Sequence, residues 1–248
     1  MSRLIALGVL TVYITLIPNL VSANDSVYGK FPVTLKEYKG GKTNSVSYGG
    51  QIARHVLHDS LKNLAGKGNG ASNPELKAQM MTYFKGAKSG HTILAPATKG
   101  SFVIQQSKVE SLSKGKNLSG KTYKGTISGM PNGMTGSELL EFWIDKASSA
   151  KNGVDTANGM HYPQLISKYA MGAVLYHQAC DNYLDEKMSA DVKPNDKPYK
   201  KGAAYTGKEH SWDEAFGYWG AAAHTMTLTA KQSYNVAKKK DLKAADYN

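Results

Sequence analysis

Between Ser45 and Leu64 the apolar residues Ile52, Val56, Leu57, Leu61 and Leu64 fall at i, i+4, i+5, i+9 and i+12, the one-sided stripe of an amphipathic helix. The same period returns over residues 161 to 188, where Leu165, Ile166, Tyr169, Ala173, Tyr176, Cys180, Tyr183 and Leu184 line one broad face, and again from Glu209 to about Lys240. Pro194 and Pro198 keep the Lys193 to Tyr205 connection from being helical throughout. Alternating apolar and polar residues, the mark of a half-buried strand, are nearly absent. The pattern predicts an all-α protein, a helical bundle with long irregular loops and few or no strands.

Punctuation supports that division. Gly66, Gly68 and Gly70 end the first helix. Asn73-Pro74-Glu75 opens a second, with Asn73 as cap and Pro74 at the first helical position, which carries Leu76, Met80, Met81 and Phe84 before stopping at Gly86. Residues 87 to 136 are rich in Gly, Ser and Lys, with short apolar patches at Thr92 to Leu94 and Phe102 to Ile104, and predict an irregular excursion usable as a lid or partner surface. Thr135-Gly136-Ser137-Glu138 reopens helix, and Leu139, Leu140, Phe142, Trp143 and Ile144 make it apolar nearly all round, so a core position is expected. Gly153 to Gly159 reads as a turn. Its Asp155 to Gly159 part has a fragment of calcium-loop spacing without the closing bidentate Glu. Gly172, Gly217, Gly220 and Ala221-Ala222-Ala223 are small residues inside long helices, where two helices can approach closely.

The N-terminus sets the compartment. Arg3, an apolar run from Leu4 to Ile17, the breaker Pro18 and Val21-Ser22-Ala23 have the order of a secretory signal peptide cleaved near Ala23. The expected organisation is therefore a signal peptide, 1–23, and a single α-helical domain, 24–248, without a transmembrane span after cleavage and periplasmic or secreted. Cys180 is the only cysteine, so no intramolecular disulfide can form, and burial as a small hydrophobe is expected. This rules out a disulfide scaffold. The 31 Lys and Arg outnumber the 19 Asp and Glu for a net charge of +12, yet only Arg3 and Arg54 are arginines. Base reading and bidentate phosphate clamping favour the arginine fork, so nucleic acid is not expected as a partner, whereas an anionic envelope polymer or a protein partner fits a lysine-coated surface.

Three predicted helices carry histidine with a ligand-type neighbour three or four residues away: His55 with His58 and Asp59, His177 with Cys180 and Asp181, and His210 with Asp213 and Glu214. Those spacings place both groups on one helix face, the way bundle metal sites are built from imidazole and carboxylate. Nitrogen and oxygen ligands suit iron, manganese or zinc. The first group is expected to face water. The candidate metal ligands are His210, Asp213, Glu214, His177 and Asp181. Trp212, Phe216 and Trp219 are expected to form the packed stripe of the last helix, with Asp213, Glu214, Gly217, Ala221 and His224 on another. Carboxylates in a first turn also suit the helix dipole without any metal. No G-x-S-x-G, H-E-x-x-H, Walker or G-x-G-x-x-G-helix motif is present, and no catalytic residue is singled out.

Ser45 to Arg54, Gln164 to Lys168 running on to Met171-Gly172-Ala173, and His210 to Gly220 resemble an exported bacterial family catalogued as a domain of unknown function, number 4856. The Trp-Asp-Glu-Ala-Phe-Gly-Tyr segment is the most specific part. The resemblance implies an α-helical envelope protein without an established activity. Its members are longer, so the chain reads as a truncated copy or a fragment. It is more loosely similar to imelysin-like proteins, exported helical bundles associated with iron through a G-x-H-x-x-E motif. Here Gly207 stands three before His210, Asp213 three after it and Glu214 one later, a departure from that pattern. The expected function is binding of a metal ion, iron first, in an imelysin-like manner. Docking on anionic polymer or a protein partner, and metal-assisted hydrolysis, are the two rivals.

Overall fold

The structure, a computed structural model, describes residues 31–95, 106–189, 192–219, 229–231 and 234. The signal segment, the Phe102 to Ile104 patch, most of the helix expected beyond Trp219 with Ala221 and His224, and the lysines at 238–240 lie outside the described residues. Helix α1 spans Gly49–Ala65, α2 Pro74–Lys85, α3 Gly136–Ser149, α4 Tyr162–Ala170 and α5 Gly207–Trp219. The two-residue strands β1, Val154–Asp155, and β2, Met160–His161, pair antiparallel across the expected turn. The protein is mostly helical, with these as the named strands among the described residues.

Local chemistry explains the helix ends. The Asn73 side chain accepts from Leu76 N at 3.0 Å at the head of α2, and Gly86 closes it at φ +101°, a backbone region that favours glycine. Thr135 and Glu138 cap α3 reciprocally, as do Thr206 and Glu209 at α5, where Thr206 N donates to Glu209 at 2.7 Å. In the 153–159 turn, the Asp155 carboxylate accepts from the backbone of Ala157 and Asn158, the work of an Asx turn.

The core forms where α1 meets α2, α4 and α5. The whole predicted stripe of α1 is buried, from Ile52 to Leu64, and α2 adds Leu76, Met80 and Phe84. In α3, Leu139, Leu140 and Ile144 are buried while Phe142 is 38% exposed, so its apolar surface is only partly absorbed. The 87–136 excursion is not detached in its described parts. Leu118 is fully buried with its N–H on the Phe84 carbonyl, and Val109 and Thr122 are also inside.

The long run after Tyr162 departs from the expected period. It leaves α4 as π-helix over Met171–Tyr176 and Gln178–Glu186, with His177 N reaching Gly172 O and Lys187 N reaching Asn182 O, five residues back. The buried positions become Val174, Leu175, Gln178, Ala179 and Tyr183. Tyr176 and Leu184, placed inside by a 3.6-residue period, are 57% and 42% exposed instead. Gly172 has open space around it and makes no close helix approach.

Helix α5 runs antiparallel to the π-wound stretch and packs closely on it. Its Lys208 donates to the Met188 and Ser189 carbonyls at one end, and Tyr218 packs on Tyr183 at the other. Gly217 is where α5 touches α1: a Cβ there would lie 2.7 Å from Tyr48 Cβ and 2.9 Å from Gln51 Cβ. The expected aromatic stripe is corrected for its two indoles, whereas Phe216 packs against Tyr48 and Ile52 as expected. Trp212 and Trp219 are 50% and 72% exposed, and the buried side consists of Ser211, Asp213, Ala215, Gly217 and Tyr218. Gly217 lets α5 approach α1 closely, while Tyr218 fills the side towards the π-wound helix against Tyr183.

Candidate functional site

The acidic turn of α5 is inside the protein. Asp213 is only 6% exposed. Its Oδ2 accepts from Ser47 N at 2.6 Å, from the segment leading into α1. Its Oδ1 lies 3.3 Å from His210 Nδ1, off a hydrogen-bonding line, and neither atom has another hydrogen-bond partner among the described residues. Burial pushes the Asp213 carboxyl up to about 6; His210 and the Ser47 N–H pull the other way, and the neighbouring Glu214 adds to the rise. The imidazole of His210 is held between rings, 4.8 Å from Tyr205 and 4.7 Å from Tyr199.

Glu214 points to a different neighbourhood. Gln51 of α1 donates to its Oε1 at 2.8 Å, while Oε2 lies 3.8 Å from His210 Nε2. The two carboxylates therefore face opposite nitrogens of one ring. A single ion on His210 can take only one of those nitrogens, so it would not be shared by all three side chains in this arrangement. Among the described residues, no group of three or more His, Cys, Asp or Glu is gathered as a metal ion would need.

Cations collect around Glu214. Lys187 sits 4.0 Å above the Tyr183 ring and Lys121 6.0 Å from it, and the Arg54 guanidinium is 5.7 Å from the Tyr218 ring. Burial lowers the Lys121 pKa, and repulsion from Arg54, Lys187 and Lys116 lowers it further against the pull of Glu214. Lys187 is lowered by burial too, and by Lys193, with Glu214 and Glu186 opposing. Burial, with the charge of Glu214, drives the Tyr183 phenol far above its ordinary range. Arg54 is itself buried, donates to the carbonyls of Asn117 at 2.9 Å and Gly50 at 3.1 Å, and has no carboxylate ion pair among the described residues.

The other histidines act elsewhere. His177 bonds Asp181 at 2.7 Å on a partly exposed face, with Tyr123 edge-on at 5.4 Å, and does not join His210. The antiparallel pairing explains this, since Tyr183 lies level with Tyr218, which puts His177 towards the opposite end of α5 from His210. His55 and His58 were expected to face water, and the structure corrects this. His58 is buried against the Ser167 carbonyl at 3.0 Å and Asp59 at 3.0 Å; His55 reaches the Gly217 carbonyl at 3.0 Å, and burial lowers its pKa. Both tie α1 to its neighbours. His91, which the sequence did not single out, is buried between Glu110 at 2.9 Å and the Thr82 carbonyl at 2.8 Å. Cys180 packs partly buried against the core.

A family model described as Domain of unknown function (DUF4856) matches residues 145–246. That span holds the Gln164 to Ala173 and His210 to Gly220 segments that carried the resemblance, and leaves Ser45 to Arg54 outside it. No curated protein and no solved structure matches the chain. Among the described residues, no helix is long and apolar enough to cross a membrane.

Proposed function

We propose that this chain, whose matching family carries no described activity, is a non-enzymatic exported protein that docks on an anionic envelope polymer through the cations around Glu214. One observation carries the reading: Arg54 is buried without a carboxylate partner among the described residues, and Lys116, Lys121 and Lys187 crowd the same region against chiefly one acid. Uncompensated positive charge in a partly desolvated place is costly, and phosphate or carboxylate groups arriving from outside relieve it. Half-buried Lys121 and Lys187 are the contact groups, and the wider lysine excess steers the polymer in. The test is titration with polyphosphate and with polygalacturonate at low and high salt. Lys121→Ala/Lys187→Ala is expected to weaken binding about tenfold or more and flatten its salt dependence. The control pair Lys77→Ala/Lys85→Ala removes lysines already paired with Asp145 and Glu141 and changes little. Equal losses in the two double variants would show a diffuse charge effect and sink the assignment.

A metal ion at the head of α5 is the second reading. It is favoured by the unpartnered His210 Nδ1 and Asp213 Oδ1, two ligand-type atoms facing each other in a buried place. Iron, manganese or zinc would need water or another ligand beside them. Metal analysis after loading with each ion, with stoichiometric binding lost in His210→Ala and Asp213→Ala, supports this reading; equal metal content in those variants refutes it.

A further inference from the structure

Beside the acidic turn of α5 lies a cavity of about 200 Å³, of the scale that takes one small organic molecule, since an apolar cavity of roughly 150 Å³ accepts benzene. Its walls include the rings of Phe31, Tyr48, Trp212 and Phe216, and it is bordered by the carboxylates of Asp213 and Glu209. Phe31 and Phe216 meet at 6.3 Å, and Tyr48 stands nearly edge-on to Phe216 at 6.1 Å, so the aromatic wall is a packed unit. Trp212 is half exposed, a large indole left out of the core on this wall.

The two carboxylates differ in what they still need. Glu209 accepts from Thr34 Oγ1 at 2.6 Å and from Thr206 N at 2.7 Å, and serves as a cap. Asp213 is more than nine-tenths buried and has one oxygen on Ser47 N; the other is without a hydrogen bond. No lysine or arginine of the described residues forms an ion pair with it; its only charged-type contact is His210. In a chain that is otherwise strongly positive, this buried carboxylate has, among the described residues, only the imidazole of His210 beside it and no lysine or arginine.

We propose that this cavity binds a small organic ammonium, a primary or methylated amine, with its charge on Asp213 and its alkyl body against Phe31, Tyr48, Trp212 and Phe216. The chemistry selects that class. Ring faces attract a weakly hydrated cation and bury its carbon atoms, while a carboxylate fixes its position. A hard metal cation would instead want a shell of oxygens that aromatic walls do not supply. This site is separate from the anion-docking cations around Glu214 and stands or falls independently of them.

The test is calorimetric titration of the full chain at pH 7.5 with propylammonium, with choline, and with 3,3-dimethylbutanol, the uncharged carbon counterpart of choline. One-to-one binding of at least one ammonium is expected, with a Kd on the order of 1 mM or tighter, and the uncharged compound is expected about tenfold or more weaker. Asp213→Asn keeps an acceptor for Ser47 N–H and so keeps the fold, and is expected to lose at least about tenfold in ammonium affinity with no loss toward the alcohol. Trp212→Leu, at a half-exposed position, serves as a second variant and is expected to weaken ammonium binding several-fold. Failure of both ammonium compounds to bind at about 10 mM, an order of magnitude above that expected Kd, overturns the proposal. So does equal affinity for the alcohol, or unchanged affinity in Asp213→Asn.

Discussion

Replacing Asp213 by Asn should make this protein more stable at pH 8 and leave it almost unchanged at pH 4. Burial holds the Asp213 carboxyl at a pKa of about 6, against about 3.9 in an unfolded chain. Because the folded value is the higher one, the folded state holds the proton more tightly, and ionisation works against folding. A difference of about two pH units corresponds to about 3 kcal/mol at pH values above both. That burden is fully present above about pH 7, shrinks as pH falls from 6 through 4, and vanishes below about pH 3, where both states are protonated. Asn has no charge to bury, and its side-chain oxygen can still accept from Ser47 N. The contact with His210, 3.3 Å away, is the part that is lost. The net expectation is a gain of about 2 kcal/mol at pH 8, some 4–8 °C in Tm for a chain of this size. Urea unfolding of wild type and variant at pH 8, 6 and 4 measures it. A variant less stable than wild type at pH 8, or a difference that does not shrink with acid, would mean that burial of the charged carboxylate does not oppose folding as described.

Gly217→Ala should destabilise by about 1–3 kcal/mol, because its Cβ meets side-chain carbons on α1 at 2.7 and 2.9 Å and the helices must part; thermal melts measure the loss. Leu118→Ala should cost about 2–5 kcal/mol in denaturant unfolding, the penalty of a core position and far more than a loose flap would show. Asn73→Ala removes the cap on α2 and should cost about 1 kcal/mol, read as faster amide exchange confined to the first turn of that helix.

The helices were legible wherever a 3.6-residue period and a cap coincide, as at Ile52 to Leu64 and at Asn73-Pro74. Thr135 and Glu138, three residues apart, mark the start of α3 and form its capping box. The run after Tyr162 was recognisable as helix but not as π-helix, since the choice of which residues face inward is made by the helix it packs on, and Tyr176 and Leu184 look as apolar as Tyr183. On α5 the aromatic residues suggested a packed stripe, whereas the close approach at Gly217 reserves that side for Ala215 and Tyr218 and leaves two indoles outside. The acidic turn itself was visible in the sequence, and so was the question of what would neutralise it. The hydrogen bonds come from Ser47 and Gln51, and the nearby charge at Glu214 from Lys121 and Lys187, all residues that carry no spacing relative to Asp213 or Glu214. His91 and His58 were hidden for the same reason, each being satisfied by a backbone carbonyl that only folding brings near.

The five-back hydrogen bonding between Met171 and Glu186 makes chain length in that stretch a variable that the rest of the molecule reads as rotation. Deleting one residue there would let the backbone tighten into an ordinary α-helix, where each residue turns the axis by about 100°. Everything downstream, including Tyr183 and Lys187, would swing away from α5 together. Related chains that lack one residue in this stretch would therefore be expected to carry changed partners opposite Glu214, and an alignment gap at this place would mark a different surface chemistry.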